Sequence, residues 1–107
     1  MKRYGQVIKV RPGSEGKYKA LHKDPWPEVN AMIKACNIQN YSIYMRDGYL
    51  YAYFEYVGDD YEADMAKMAA DPVTQKWWAE CMPCQEKVGS AGPDEWWADM
   101  EEVYHLD

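Results

Sequence analysis

Residues 3–10 (RYGQVIKV) are rich in branched apolar side chains and end at Arg11-Pro12-Gly13, a pattern that predicts a first β-strand and a turn. From Ser14, a residue type suited to capping a helix, the chain reads as helix to about Leu21 or His22. Asp24-Pro25-Trp26-Pro27 interrupts it, and helix resumes at Pro27, where a missing N–H costs little, to about Ala35. Residues 40–45 (NYSIYM) and 49–57 (YLYAYFEYV) flank Arg46-Asp47-Gly48 and predict a hairpin whose glycine supplies the unusual turn backbone. In the second of these strands, period two sends Tyr49, Tyr51 and Tyr53 to one face and Leu50, Ala52, Phe54 and Tyr56 to the other. Neither face is polar, so a covering partner, most simply a second copy of the chain, is expected on the side away from the helices.

Gly58-Asp59-Asp60 opens a further helix to about Ala70, and Asp71-Pro72 starts a short one that carries Trp77 and Trp78. Met82 to Pro93 holds Pro83, Gly89, Gly92 and Pro93 and reads as an irregular connection. Residues 98–107 (ADMEEVYHLD) recover alternation around Met100, Val103, Tyr104 and Leu106 and predict a fourth strand. The order β, α, β, β, α, β is the ferredoxin-like split βαβ plan, an α+β fold with an antiparallel sheet and helices on one face.

Composition narrows the class. At 107 residues the chain is expected to form one domain, residues 1–107. A net charge of -6 with no Lys/Arg block argues against nucleic acid. There is no run of eighteen apolar residues and no signal-peptide pattern, so neither a membrane span nor secretion is expected, and the cytosol is the default compartment. Three cysteines, an odd number, fit reduced thiols better than a disulfide framework. Ten Tyr and five Trp against one Phe suit half-wet surfaces such as sugar pockets and subunit interfaces, although for most of them filling a core short of Phe and Leu is the stronger reading.

Two constellations carry possible chemistry. Tyr18 and His22 stand at i and i+4 on one helix face and can converge on one ligand. An imidazole with an ordinary pKa of about 6.5 can both give and take a proton, though a lone histidine beside an aromatic is often a packing or capping residue. Trp77 and Trp78 point about 100° apart on a helix, so one can fill the core while the other lines a groove, where an indole face would pack on the C–H face of a sugar. Both could also serve the core or a subunit contact. Cys81-Met82-Pro83-Cys84 lacks the second ligand pair that zinc needs and closes a helix instead of opening one, which argues against a metal or thioredoxin-like site.

Tyr18-x-x-x-His22 followed by Trp26-Pro27-Glu28, then residues 40–44 (NYSIY), Gln75-Lys76-Trp77-Trp78 and residues 101–106 (EEVYHL) together resemble the L-rhamnose mutarotase family in order along nearly the whole chain. The resemblance implies a homodimer of the dimeric α/β barrel type that interconverts the α and β anomers of L-rhamnose without a cofactor or metal. It further implies His22 as the proton donor and Tyr18, Tyr41, Trp77 and Trp78 as sugar-binding positions. Residues 81–97 (CMPCQEKVGSAGPDEWW) differ from the connection of the best-known enteric rhamnose mutarotases, which leaves the sugar open between L-rhamnose and another deoxysugar or aldose. Two other readings of the same residues are a sugar-binding or structural dimer without catalysis, and a dimeric α+β barrel oxygenase that binds haem or a quinol.

Overall fold

The computed structural model describes residues 1–107. In chain order it contains β1 (Lys2–Val10), α1 (Glu15–Lys23), α2 (Pro27–Ala35), β2 (Ile38–Arg46), β3 (Tyr49–Tyr56), α3 (Tyr61–Ala69), α4 (Pro72–Cys81), one 3-10 turn (Met82–Cys84), β4 (Gln85–Glu86) and β5 (Ala98–Met100). All strand pairs are antiparallel in the order β2-β3-β1, and the lane on the far side of β1 is shared by β4 and β5.

The elements start and stop for local reasons. Asp60 and Asp71 cap α3 and α4 by accepting hydrogen bonds from the backbone N–H groups of Ala63 and Thr74 at 3.1 and 2.9 Å. Ser14 stands at the cap position of α1, but its side chain makes no capping bond. Pro27 opens α2, preceded by an extended Trp26, so the Pro-Trp-Pro break separates two helices of nine residues each. The β2–β3 turn has both central residues, Asp47 and Gly48, at positive φ (53° and 81°), the requirement of a two-residue turn that matches strand twist.

Burial follows the period of two. Ile8 and Val10 of β1 and Leu50, Ala52, Phe54 and Tyr56 of β3 lie under the helices. Tyr44, Tyr49 and Tyr51 line the opposite face and are exposed in the single chain. An irregularity in β2 changes what the pattern delivers. Gln39 pairs with Glu55 and Ser42 with Tyr53, so β2 uses one more residue than β3 over that span, with Asn40 at a φ of 50°. This β-bulge lets the Asn40 amide bond Glu55 at 2.7 Å while Tyr41 swings to the helix side and packs on Phe54, with ring centroids 5.3 Å apart.

The fourth strand differs from expectation. Only Ala98–Met100 of the segment 98–107 pairs with β1, and the connection before it contributes a second short piece, Gln85–Glu86. The reason is lane length. Met100 already lies opposite Gly5, so β1, which begins at Lys2, offers few further positions. Val103, Tyr104 and Leu106 run past it and remain exposed at 87, 77 and 76%.

Candidate active site

Helix α1 sets two aromatic rings one turn apart, and they stack: the Tyr18 and His22 ring centroids are 4.1 Å apart at 24°. His22 Nδ1 lies 2.9 Å from the Tyr18 carbonyl oxygen. A carbonyl can only accept, so Nδ1 must carry the hydrogen, and Nε2 is the nitrogen left to exchange a proton. Burial lowers the pKa of His22 from 6.5, opposed by the same backbone hydrogen bond. The imidazole is thus biased toward its neutral form near pH 7, ready to take a proton at Nε2.

The imidazole also packs against Trp77 of α4, edge-on at 5.2 Å. Trp77 in turn meets Trp26 edge-on at 5.2 Å, so the residue between the two prolines is the wedge that seats the helix break against α4. Trp26, Trp77, Tyr18, Ile8 and Leu50 all belong to one apolar cluster with its flanking residues. A solvent-open cleft of about 300 Å³ lies between α1 and β2, lined by Tyr18, Lys19, His22 and Lys23 on one side and Ile43 and Met45 on the other. That size is at the low end of small-ligand clefts, about 300 Å³ upward, and fits a monosaccharide-sized molecule better than a larger cofactor.

Tyr18 is itself buried, and burial raises its pKa far above the phenol range, with the nearby Tyr41 phenol adding to the effect. Tyr41 keeps 42% of its surface exposed along the ring, yet its hydroxyl end is carried inward, where burial pushes its pKa up to about 12. The Cys81 thiol, also pushed up to about 12 by burial, is inert at neutral pH. Nowhere do three His, Cys, Asp or Glu side chains converge as a metal site would require. A somewhat larger cleft, about 380 Å³, runs along the start of β1 beside Asp99, Met100 and Glu102. It contains the exposed Arg3–Glu102 ion pair at 3.3 Å and no imidazole or indole, whereas the smaller cleft is lined by the His22 imidazole.

Of the residues singled out from the sequence, the fold brings Tyr18, His22 and Trp77 into contact and sets Tyr41 beside Tyr18. Trp78 stands apart at 36% exposure and has no aromatic partner. Two further residues reach Tyr18 from the connection after α4. Gln85, 4% exposed in a segment expected to be irregular, points its Nε2 at the Tyr18 hydroxyl at 3.4 Å. Trp96 donates its indole N–H to Gln85 Oε1 at 2.7 Å. Alternation and spacing give no warning of a buried amide held by a distant indole.

A curled antiparallel sheet with helices on one side is the half-barrel unit of the dimeric α+β barrel fold. Solved structures with this shape, each matched over the full length of both chains, include an L-rhamnose mutarotase from Formosa agariphila (TM-score 0.77, 23% identity) and the tetracenomycin F2 cyclase of Streptomyces glaucescens (TM-score 0.70, 10% identity). The chain belongs to the L-rhamnose mutarotase family, whose model matches residues 3–106. Relatives bearing that name include proteins of Oceanobacillus iheyensis, 33% identical over 107 residues, and Bacillus subtilis, 34% identical over 109, each alignment covering 100% of both chains.

Proposed function

We propose that the protein interconverts the α and β anomers of L-rhamnose or a closely related deoxysugar, with His22 as the proton carrier. The observation that carries this reading is the His22 imidazole itself. It is fixed at Nδ1 by the Tyr18 carbonyl, held between Tyr18 and Trp77, and set at the edge of an open cleft. Family membership supports the substrate class.

The reaction moves only protons and one C–O bond. The bond from the anomeric carbon to the ring oxygen breaks, the ring oxygen gains a proton, and the anomeric hydroxyl loses one. Both oxygens sit on the same carbon, so a single Nε2 can take the proton from one and give it to the other, ending unchanged. The open aldehyde turns about its C–C bond and the ring closes on the other face by the reverse steps. Positioned proton transfer of this kind contributes about 10² to 10⁴ in rate and calls for no redox group or Lewis acid. Tyr18 and Tyr41 supply hydroxyl contacts for the sugar, and Trp78 offers an exposed indole face at the same end of α4.

We further propose that two chains pair through the tyrosine-lined face of the sheet, with the exposed Val103, Tyr104 and Leu106 as part of the contact. The three free cysteines are in keeping with a reducing compartment such as the cytosol, and no helix is long and apolar enough to cross a membrane. Saturation-transfer NMR of L-rhamnose tests the reading. His22→Ala is expected to slow anomer exchange by about 10² or more. An unchanged rate in a folded variant removes His22 from the mechanism.

A further inference from the structure

We propose that Gln85 is a positioning residue for this reaction: locked by Trp96, it turns the Tyr18 hydroxyl into a hydrogen-bond donor aimed at a sugar oxygen in the cleft. The inference rests on the reading of the Tyr18–His22 cleft as the sugar site. It follows from the polarity of three groups in series. An indole N–H is a donor and never an acceptor, so the Gln85 atom 2.7 Å from Trp96 must be the carbonyl oxygen. The amide NH2 then faces Tyr18, at a long but permitted 3.4 Å. The Tyr18 oxygen therefore accepts from Gln85, and its own proton is turned away from Gln85; the Tyr18 ring is one wall of the cleft.

The amide has little freedom to do otherwise. Gln85 is 4% exposed, its backbone pairs with Val10 of β1, and its backbone carbonyl accepts from Arg11 Nε at 3.1 Å. Tyr18 is equally enclosed and stacked on His22, so the ring that Gln85 orients is the one that fixes the imidazole. Without Gln85 the Tyr18 hydroxyl could rotate its proton toward other acceptors, and a sugar oxygen would meet a lone pair as often as a proton. With it, the contact is a donor before the sugar arrives, the preorganisation that makes a polar contact effective.

The test is a set of variants read by anomer exchange and by sugar binding through tryptophan fluorescence: Gln85→Met, Trp96→Phe, Tyr18→Phe and the two doubles with Tyr18→Phe. Gln85→Met is expected to lower kcat/KM about tenfold, the worth of one positioned hydrogen bond. Tyr18→Phe is expected to lower it at least as much. Because Gln85 acts through the Tyr18 hydroxyl, adding Gln85→Met or Trp96→Phe to Tyr18→Phe is expected to cost no more than about twofold further. A structural role would instead multiply the losses, and multiplied losses overturn the proposal, as does a wild-type rate in a folded Gln85→Met protein. If Gln85→Met fails to fold, Trp96→Phe and its double carry the same comparison. A wild type that binds L-rhamnose without accelerating exchange overturns the mutarotase reading alone, and the same non-additivity is then read in binding. A wild type that neither binds nor exchanges overturns both.

Discussion

Replacing each member of the adjacent pair Trp77-Trp78 with alanine separates the two roles that one helix gives its neighbours. Trp77 is 7% exposed and packs edge-on against both His22 and Trp26, whereas Trp78 is 36% exposed. Removing a buried indole costs its transfer energy plus the cavity left behind, about 3–5 kcal/mol. A domain of this size holds only about 5–15 kcal/mol in total. Trp77→Ala therefore consumes a large share of the stability and lowers the melting temperature by at least about 12 °C, at about 4–8 °C per kcal/mol. Water can fill the space vacated by Trp78, so its alanine variant is expected to cost about 1–2 kcal/mol. Urea melts followed by circular dichroism, with the midpoint read at unchanged slope, give both values. Equal costs for the two variants, independent of protein concentration, would refute the assignment of one indole to the interior and the other to the surface. Trp77→Ala should also slow anomer exchange in whatever fraction stays folded, because the wall behind the His22 imidazole is gone.

The low pKa of His22 predicts an acid limb in the exchange rate with a midpoint below 6.5, measurable by NMR across a pH series. The same shift sets a sign for stability. The unfolded chain takes up the proton first as pH falls, so the contribution of His22 is complete above about 6.5 and is lost as pH falls through the folded pKa; His22→Ala should flatten that part of a melting-temperature profile. Asp71→Ala removes an acceptor for both the backbone N–H and the hydroxyl of Thr74, at 2.9 and 2.8 Å, and is expected to destabilise by about 1 kcal/mol in a urea melt. At Gly58 an added Cβ would overlap the Tyr56 hydroxyl and the Asn37 amide, so Gly58→Ala is expected to cost about 1–3 kcal/mol by the same assay while leaving exchange in the folded protein intact. Light scattering should give the mass of a dimer, and Tyr51→Glu, which plants a charge on the tyrosine face, should lower it to that of one chain.

Most of the fold was legible because its signals are local. The prolines and aspartates that open α2, α3 and α4, the Asp-Gly turn and the alternation of β3 each act within a few residues, and the elements lie within a residue or two of where those signals put them. The pairing of Tyr18 with His22 was legible for the same reason, since one helical turn separates them. What failed was the end of the chain. Alternation in residues 98–107 promised a full strand, but a strand needs a partner lane, and beyond Gly5, opposite Met100, β1 has only Tyr4, Arg3 and Lys2 left.

By itself, then, the sequence determined the order of elements as far as α4, the helix break at Trp26 and the placing of one imidazole a helical turn from one phenol. Tertiary structure decided which nitrogen of that imidazole is free, because the Trp77 indole packs on the ring in the rotamer that turns Nδ1 to the Tyr18 carbonyl. It decided that Tyr41 faces the helices, because a single extra residue at Asn40 reverses the side to which the next residue points. It also decided that Gln85 meets Tyr18, a contact between residues 67 positions apart. A hydrogen bond over that separation exists only once the sheet has brought β4 against β1 and carried the buried amide to the helix packed beside it.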